Sequence, residues 1–135
     1  MIISKDIKFD CAHMLSQYEG KCANLHGHTY HGTITLGCPV GATTGMILDY
    51  NEIKKHVDKL DHAIIFSAPE FRDVAEEDLL KWATAFGMHH VVLQEGKSTA
   101  ENIVKYLIGC FVGFNYVKVR LSETDGSWAE EEHII

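Results

Sequence analysis

The sequence lacks the features that would direct it to a membrane or a secretory route. It has no run of about 18 or more apolar residues, so no segment is long enough for a transmembrane helix. Residues 1–6 do not have the pattern of a signal peptide. We find no internal repeat, low-complexity tract or linker. We therefore expect one domain over residues 1–135, located in the cytoplasm and without a membrane partner.

Paired cysteines and an excess of positive charge are also lacking. The four cysteines are scattered and form no CxxC pair, which favours reduced thiols over a disulfide framework. The formal net charge is -7. Because a nucleic-acid binder needs a basic surface, we expect no nucleic-acid partner. A small anionic substrate stays compatible with this charge, since a single pocket can be positive on an acidic protein.

What the chain does have is an ordinary globular composition and many histidines. Hydrophobic residues make up 46% and charged residues 23% of its 135 positions, which is typical of a soluble domain with one proper core. Nine of the residues are histidine, a high number for this length. This abundance favours a metal-binding protein.

Three of these histidines and one thiol are concentrated in a short stretch. The segment Cys22-Ala-Asn-Leu-His26-Gly-His28 follows His13 closely. Side chains alternate between faces in an extended segment, so His26 and His28 point the same way, on the face that Tyr30 continues. His13 falls on the apolar side of the preceding strand. Three imidazoles with an open fourth position are typical of catalytic zinc, so we predict a zinc site at the rim of the core.

Two roles are open for Cys22. As a fourth ligand it would close a Cys-His-His-His site, and the protein would then be a non-catalytic structural zinc module. As a free thiol beside a catalytic zinc ion it would serve as a general base, because a nearby cation favours the thiolate. The spacing does not separate these two interpretations.

The pair Asp61-His62 also has two interpretations. It follows a predicted helix, and histidine is favourable near a helix C-terminus, so the pair can be a solvated turn. Alternatively, it is a relay partner for Cys22, because a thiol, an imidazole and a carboxylate form a common catalytic combination.

Two glutamates differ in how well a structural role explains them. Ser98-x-x-Glu101 fits a capping box, in which the Glu101 carboxylate only ties down the start of a helix. Strand parity places Glu123 on the apolar face of residues 117–121, where a carboxylate is costly without a partner. Such a carboxylate usually binds a ligand that presents paired donors.

Hydrophobic periodicity predicts an α+β fold. Strands are expected at residues 2–12, 29–37, 91–93, 117–122 and 127–135, with a loop over residues 40–46. Helices are expected after the cap Asp49, over residues 79–86 and over residues 98–111. Two strands, then helices, then two strands is the order of an antiparallel sheet with helices packed on one face.

Taken in order, these residues resemble the 6-pyruvoyltetrahydropterin synthase/6-carboxytetrahydropterin synthase family, the latter known as QueD. The Cys-x3-His-Gly-His element is specific, and the matches span residues 9–124 in the family's order. The matching segments are Phe9-Asp10-Cys11-Ala12-His13, Cys22-x-x-x-His26-Gly27-His28, Gly45-Met46-Ile47-Leu48-Asp49-Tyr50, Leu60-Asp61-His62, Thr99-Ala100-Glu101-Asn102 and Ser122-Glu123-Thr124.

The resemblance implies a tunnelling fold (T-fold), in which the sheets of several subunits join into a barrel, and therefore a homo-oligomer, either a trimer or a hexamer. It also implies roles for single residues. Zinc is bound by His13, His26 and His28. Cys22 is the base, Asp61 and His62 complete its proton relay, and Glu123, Thr99 and Glu101 contact the substrate.

The substrate class that the resemblance implies is 7,8-dihydroneopterin triphosphate. The three-residue gap between Cys22 and His26 is similar to that of the 6-carboxytetrahydropterin synthases of the queuosine/7-deazaguanine route. Their products are 6-carboxytetrahydropterin, acetaldehyde and triphosphate. The alternative within the family is 6-pyruvoyltetrahydropterin, formed by triphosphate elimination without carbon–carbon cleavage.

Overall fold

The computed structural model describes residues 1–41 and 43–135, so Ala42, in the loop predicted over residues 40–46, lies outside the described part. Within that part, the backbone forms six strands and three α-helices. In chain order they are β1 (Ile2–His13), β2 (His26–Gly37), α1 (Tyr50–Asp58), β3 (Ala63–Phe66), α2 (Val74–Ala85), β4 (His90–Val92), α3 (Ala100–Gly109), β5 (Tyr116–Thr124) and β6 (Ser127–Ile134). None of the described helices has both the length and the apolarity needed to cross a bilayer.

The strands form one mixed sheet in the order β4-β3-β1-β2-β5-β6. The central strands β1, β2, β5 and β6 pair antiparallel, as predicted. However, β3 runs parallel to both β1 and β4, so the prediction of a purely antiparallel sheet is wrong. The physical reason is the connection from β3 to β4, which contains α2, because a helical crossover returns the chain in the same direction. The four-residue strand β3 was not predicted.

One face of the sheet is apolar and packs against α1 and α3. Its buried residues alternate along β1, β2 and β5, which confirms the predicted strand parity. Within this core the rings of Phe9 and Tyr30 stack with centroids 5.2 Å apart. The helices contribute five fully or nearly fully buried side chains, which are Ile53, Val57, Ile103, Val104 and Leu107. The core therefore lies between one sheet face and two helices, as an α+β arrangement requires.

The helix starts agree with the predictions in one case and differ in two. Helix α1 begins after Asp49, whose carboxylate accepts a hydrogen bond from the N–H of Asn51, as predicted. Helix α2 begins at Val74, five residues before the predicted range, because Asp73 caps it.

Helix α3 is capped by Thr99, whose hydroxyl accepts from the N–H of Asn102. Ser98 was predicted to be this cap, with Glu101 as the other half of a capping box, and that prediction is wrong. Ser98 is fully buried and its backbone groups bond elsewhere. Two adjacent hydroxyl residues satisfy the same sequence rule, and only packing selects between them.

Candidate functional site

The β1–β2 hairpin brings three histidines together at one end of the sheet. His13 ends β1 and pairs with His26, which begins β2, and His28 pairs with Cys11. Their side chains lie on the core side, and one ring nitrogen of each falls within 4.8 Å of the others. His13 is almost fully buried and the other two are half-buried. The cluster can hold a metal ion.

Backbone carbonyls orient two of the three rings. The Nδ1–H of His13 donates to the carbonyl oxygen of Ser98, and that of His26 donates to the carbonyl oxygen of Asn24 over 2.7 Å. A carbonyl only accepts, so we assign the ring proton of each neutral imidazole to Nδ1. The lone pair is then on Nε2. Carbonyl partners of this kind fix the tautomer and orientation of metal-ligating histidines in general.

The cluster collects lone pairs without a donor between them. Nε2 of His13 lies 3.0 Å from Nε2 of His26, with both lone pairs facing inward. Nε2 of His28 is buried and has no hydrogen-bond partner among the described residues, although it lies 2.9 Å from Glu123 Oε1. That contact is close but not aligned for a hydrogen bond. Acceptors this close are stabilised by a shared cation, either a proton or a metal ion, and three imidazoles are a donor set that suits zinc. The residues therefore fit the metal.

Ionisation at the cluster favours the same reading. Burial lowers the pKa of His28, so its neutral, metal-ligating form is favoured. When the cluster shares a proton, a hydrogen bond from His13 lowers the pKa of Glu123, and it outweighs the burial that raises it. Glu123 is therefore an anion at neutral pH and can balance the charge of a bound cation.

Glu123 lies on the core side of β5, as the strand parity predicts. It sits at an irregularity between Ser122 and Thr124, where its side chain is 34% exposed at the edge of the cluster. The fully buried Tyr30 donates a long hydrogen bond of 3.5 Å to its Oε1. Burial raises the pKa of Tyr30, so the phenol keeps its proton and remains a donor. One carboxylate oxygen is thus held towards the histidines.

Cys22 lies outside the histidine cluster. It belongs to a 3-10 turn, Lys21–Ala23, in the connection between β1 and β2, and its backbone carbonyl accepts from the N–H of Leu15. The cluster itself contains no thiol, and in the described part of the chain Cys22 Sγ makes no hydrogen bond. This arrangement favours an open site of three imidazoles over a closed site of four ligands.

Asp61 and His62 contact each other at the edge of β1, outside the histidine cluster. Asp61 Oδ2 lies 3.1 Å from His62 Nδ1, and Asp61 Oδ1 accepts from the backbone N–H of Asp10. That backbone donor lowers the pKa of the Asp61 carboxyl, which keeps it ionised. His62 adopts a left-handed φ of 60°, uncommon for a non-glycine residue, and its imidazole is 78% exposed. It lines a groove of about 380 Å³ whose wall also includes Asp10, Thr29 and His28.

The sequence-predicted site residues therefore fall into separate groups. The histidines and Glu123 come together. Among the described residues, neither Cys22 nor the pair Asp61-His62 is bonded to this cluster, and no bond joins the thiol to the pair. Thr99 caps α3 through its hydroxyl, and Glu101 is exposed in the first turn of that helix. Helix α3 nevertheless begins beside the cluster, because Ser98, the residue before its cap, binds His13.

Sequence reasoning missed three contributors to the site. The carbonyls of Asn24 and Ser98 carry no side-chain signal, so no sequence pattern could have identified them. Tyr30 was different, because it continues the face of His26 and His28. The same parity could have placed its hydroxyl at the floor of the cluster.

Known proteins match this chain over nearly its whole length. The family described as 6-pyruvoyl tetrahydropterin synthase matches residues 2–133. A 6-carboxy-5,6,7,8-tetrahydropterin synthase of Haemophilus influenzae is 32% identical, with 95% of this chain and 96% of the relative covered. A protein of the same name from Synechocystis sp. is 30% identical, with 90% and 96% covered.

Solved structures share the fold at lower identity. The 6-pyruvoyl tetrahydropterin synthase of Plasmodium falciparum superposes with a TM-score of 0.65 at 21% identity, covering 100% of this chain and 98% of that one. The enzyme of that name from Caenorhabditis elegans gives a TM-score of 0.61 at 22% identity, covering 98% and 95%. The α+β fold with its six-stranded mixed sheet is thus the fold of these structures. With its match over residues 2–133 and relatives at 30% identity or more, the chain belongs to the 6-pyruvoyl tetrahydropterin synthase family, as its six sequence segments indicate.

Proposed function

We propose that this chain is a zinc-dependent 6-carboxy-5,6,7,8-tetrahydropterin synthase. It converts 7,8-dihydroneopterin triphosphate and water to 6-carboxytetrahydropterin, acetaldehyde and triphosphate. The observation that carries the proposal is the convergence of three imidazole Nε2 atoms where β1 ends and β2 begins. The substrate class is supported by the names of the relatives that align along the whole chain.

His13, His26 and His28 hold the metal, and the carbonyls of Ser98 and Asn24 keep the first two rings in the ligating tautomer. When bound, zinc supplies a Lewis acid that acidifies the hydroxyls of the substrate side chain and stabilises oxyanion charge. The chain's own residues bind and orient the substrate and move its protons.

Glu123 orients the pterin ring in this proposal. A pterin edge presents a ring N–H beside an exocyclic amine, and this pair of donors matches the two oxygens of one carboxylate. Glu123 is ionised and partly exposed at the edge of the cluster, so its free oxygen is available to a ligand. Thr99 and Glu101, at the neighbouring start of α3, are proposed as further substrate contacts.

Cys22 acts as the general base in this proposal, with Asp61 and His62 as its proton relay. Asp61 orients the imidazole of His62 through Nδ1, and the exposed Nε2 is left to exchange a proton. No bond within the described chain joins this pair to the thiol, so we propose that a second copy of the chain brings them together. We therefore propose that the active site is shared between subunits.

The sheet has free edges that fit such an assembly. Strand β3 pairs with β1 only at Cys11 and Ala12, and Asp61 and His62 bond the backbone of Asp10. Among the described residues, positions 2–9 of β1 therefore have an open edge, and β6 is open on its outer side. Exposed apolar side chains, including Ile2 and Ile134, lie beside these edges. Open apolar edges promote strand pairing between chains, so we propose a trimer or hexamer whose sheets join into a barrel. The four free thiols suit a reducing compartment, and we propose the cytoplasm.

The deciding experiment is an incubation of the zinc-loaded protein with 7,8-dihydroneopterin triphosphate. We expect one acetaldehyde for each triphosphate released, with 6-carboxytetrahydropterin as the pterin product. Triphosphate release without acetaldehyde would instead identify the chain as a 6-pyruvoyltetrahydropterin synthase. Release of neither would reject both synthase activities.

A Cys22→Ala variant tests the remaining alternative, a structural zinc module. We expect the variant to keep its zinc and to lose turnover, because a general base is not a ligand. If zinc leaves with the thiol, Cys22 is the fourth ligand and the catalytic proposal fails.

A further inference from the structure

Behind His13, on the side away from the other two histidines, a chain of polar groups leads to α2. The carbonyl of Ser98 accepts from His13 Nδ1, and the N–H of Ser98 donates to the hydroxyl of Ser67 over 2.9 Å. The N–H of Ser67 donates in turn to Oε1 of Glu76 over 2.7 Å. A carboxylate on α2 is thus connected to a ring of the histidine cluster through two serines.

This hydrogen-bonded series contains every polar or charged residue that is buried in the described structure. Ser98 is fully buried, and Ser67, His13 and Glu76 are no more than 2% exposed. The other buried residues in positions 1–41 and 43–135 are hydrophobic types, among which Tyr30 carries the hydroxyl that donates to Glu123. Buried polar groups are costly unless they are hydrogen-bonded. These four residues satisfy one another, so they form one hydrogen-bond network.

Glu76 is the least expected residue of this hydrogen-bonded series. Burial raises the pKa of its carboxyl, and the contacts with Ser67 oppose that effect by favouring the ionised form. Helix α2 otherwise buries only Ala83, so core packing does not explain why a carboxylate points inward. The buried carboxylate of Glu76 bonds Ser67, a loop residue, and so it holds that loop in place.

We propose that Glu76 is a positioning residue of the metal centre, which holds the ring of His13 through Ser67 and Ser98. This inference rests on the proposed zinc site and deepens it. It also gives α2 a role, because this helix holds Glu76, which positions the metal ligand His13 at the end of β1.

Ser67 is held from both sides, which makes it an effective link. Arg72 donates from Nη1 to the carbonyl of Ser67, while Glu76 accepts from its N–H. The next residue, Ala68, donates its N–H to the carbonyl of Gly96, close to Ser98. The segments before and after α2 are therefore fastened together directly behind His13, and displacement of Ser67 would displace the carbonyl that orients the ring.

Metal affinity of the folded protein is the quantity that separates positioning from simple structural support. We would measure zinc binding by competition with a chelator, at a temperature where all variants are folded. Ser67→Ala changes no charge and removes the acceptor for the Ser98 N–H, and Glu76→Ala removes the support of Ser67. We expect each to weaken zinc binding about tenfold, at the lower end of the effect of outer-shell changes, because the Ser98 carbonyl itself remains.

Two further variants serve as controls. Glu76→Gln keeps one acceptor oxygen for the Ser67 N–H, so it should retain more of the affinity than Glu76→Ala. Asp78→Asn removes the same charge from an exposed position on α2, and it should bind zinc as the wild type does. The second readout is the Nδ1–H NMR signal of His13 in metal-free protein, which should be slow to exchange in the wild type and fast in Ser67→Ala.

Unchanged zinc affinity and an unchanged His13 signal in Ser67→Ala and Glu76→Ala would overturn the inference. Lower thermal stability alone, with both readouts unchanged, would overturn it too, since a purely structural role gives that result. If the wild type itself bound no zinc, the proposed function would fail, and the His13 signal would still decide whether Glu76 positions the ring.

Discussion

His26 and His28 lie two residues apart on β2, and both face the core because side chains alternate along a strand. Each provides one of the three nitrogens of the cluster. We expect His26→Ala and His28→Ala to remain folded but to bind less than one zinc per chain and to have no turnover. Their thermal stability should also fall, because metal binding couples to folding. Metal analysis of the purified variants is the measurement.

The matched control is His31→Ala, which removes an exposed imidazole from the polar face of the same strand. It should keep a full complement of zinc. Full zinc in His26→Ala and His28→Ala as well would reject the three-histidine site.

Glu123 gives a second prediction at the residue scale. Glu123→Gln keeps the shape of the side chain but replaces one acceptor by a donor, which would face the donors of the pterin edge. The loss of a charge-assisted hydrogen bond costs roughly 1.5–3 kcal/mol, or about 10- to 150-fold in affinity. We expect calorimetry to give at least tenfold weaker binding of a pterin ligand, with zinc content unchanged.

Glu131→Gln is the control for charge, since Glu131 is exposed on β6. It should bind pterin like the wild type. Equal affinities for wild type and Glu123→Gln would remove the ring-orienting role from Glu123.

At the scale of elements, the start of α3 lies next to the cluster and depends on Thr99. The hydroxyl of Thr99 accepts from the N–H of Asn102, one of the donors that a helix N-terminus leaves free. Thr99→Ala should therefore lower the free energy of unfolding by about 1 kcal/mol, as measured by denaturant titration. Thr99→Ser should restore most of the loss.

Ser98→Ala is the informative comparison for this cap. The hydroxyl of Ser98 is buried without a hydrogen-bond partner in the described structure, while its backbone groups carry the bonds to His13 and Ser67. Its removal should leave the free energy of unfolding unchanged or slightly raised. If Ser98→Ala greatly lowered the free energy of unfolding and Thr99→Ala did not, Ser98 would be the cap of α3.

At the scale of the whole molecule, the open sheet edges predict self-association. Light scattering should give a mass three or six times that of one chain. Ile134, on β6, is 68% exposed, and Ile134→Asp places a charge where we expect a second copy to pair. We expect this variant to dissociate and to lose turnover, because the proposed site draws residues from two subunits.

Val112→Asp is the matched control, because Val112 is 83% exposed in the turn after α3 and belongs to no strand. It should keep the mass and the activity of the wild type. A wild-type protein that is monomeric and fully active would reject the shared site.

Local periodicity was sufficient to predict much of this molecule. The strands β1, β2, β5 and β6, the start of α1 and the inward facing of His13, His28 and Glu123 all follow from alternation or from a cap. These properties depend on residues that are neighbours in the chain, and neighbouring residues can be compared directly in the sequence. The family could be identified for a related reason, because its segments occur in a constant order.

Tertiary structure alone decided the rest, because it depends on residues that are distant in the chain. The four-residue strand β3 has no alternation of its own and is a strand only because β1 and β4 flank it. Packing also buried Ser98 and left Thr99 as the cap. The same long-range pairing placed Asp61 and His62 at the backbone of Asp10 and outside the histidine cluster. It also joined Glu76 to His13, which lies 63 positions earlier in the chain, through bonds that no sequence pattern encodes.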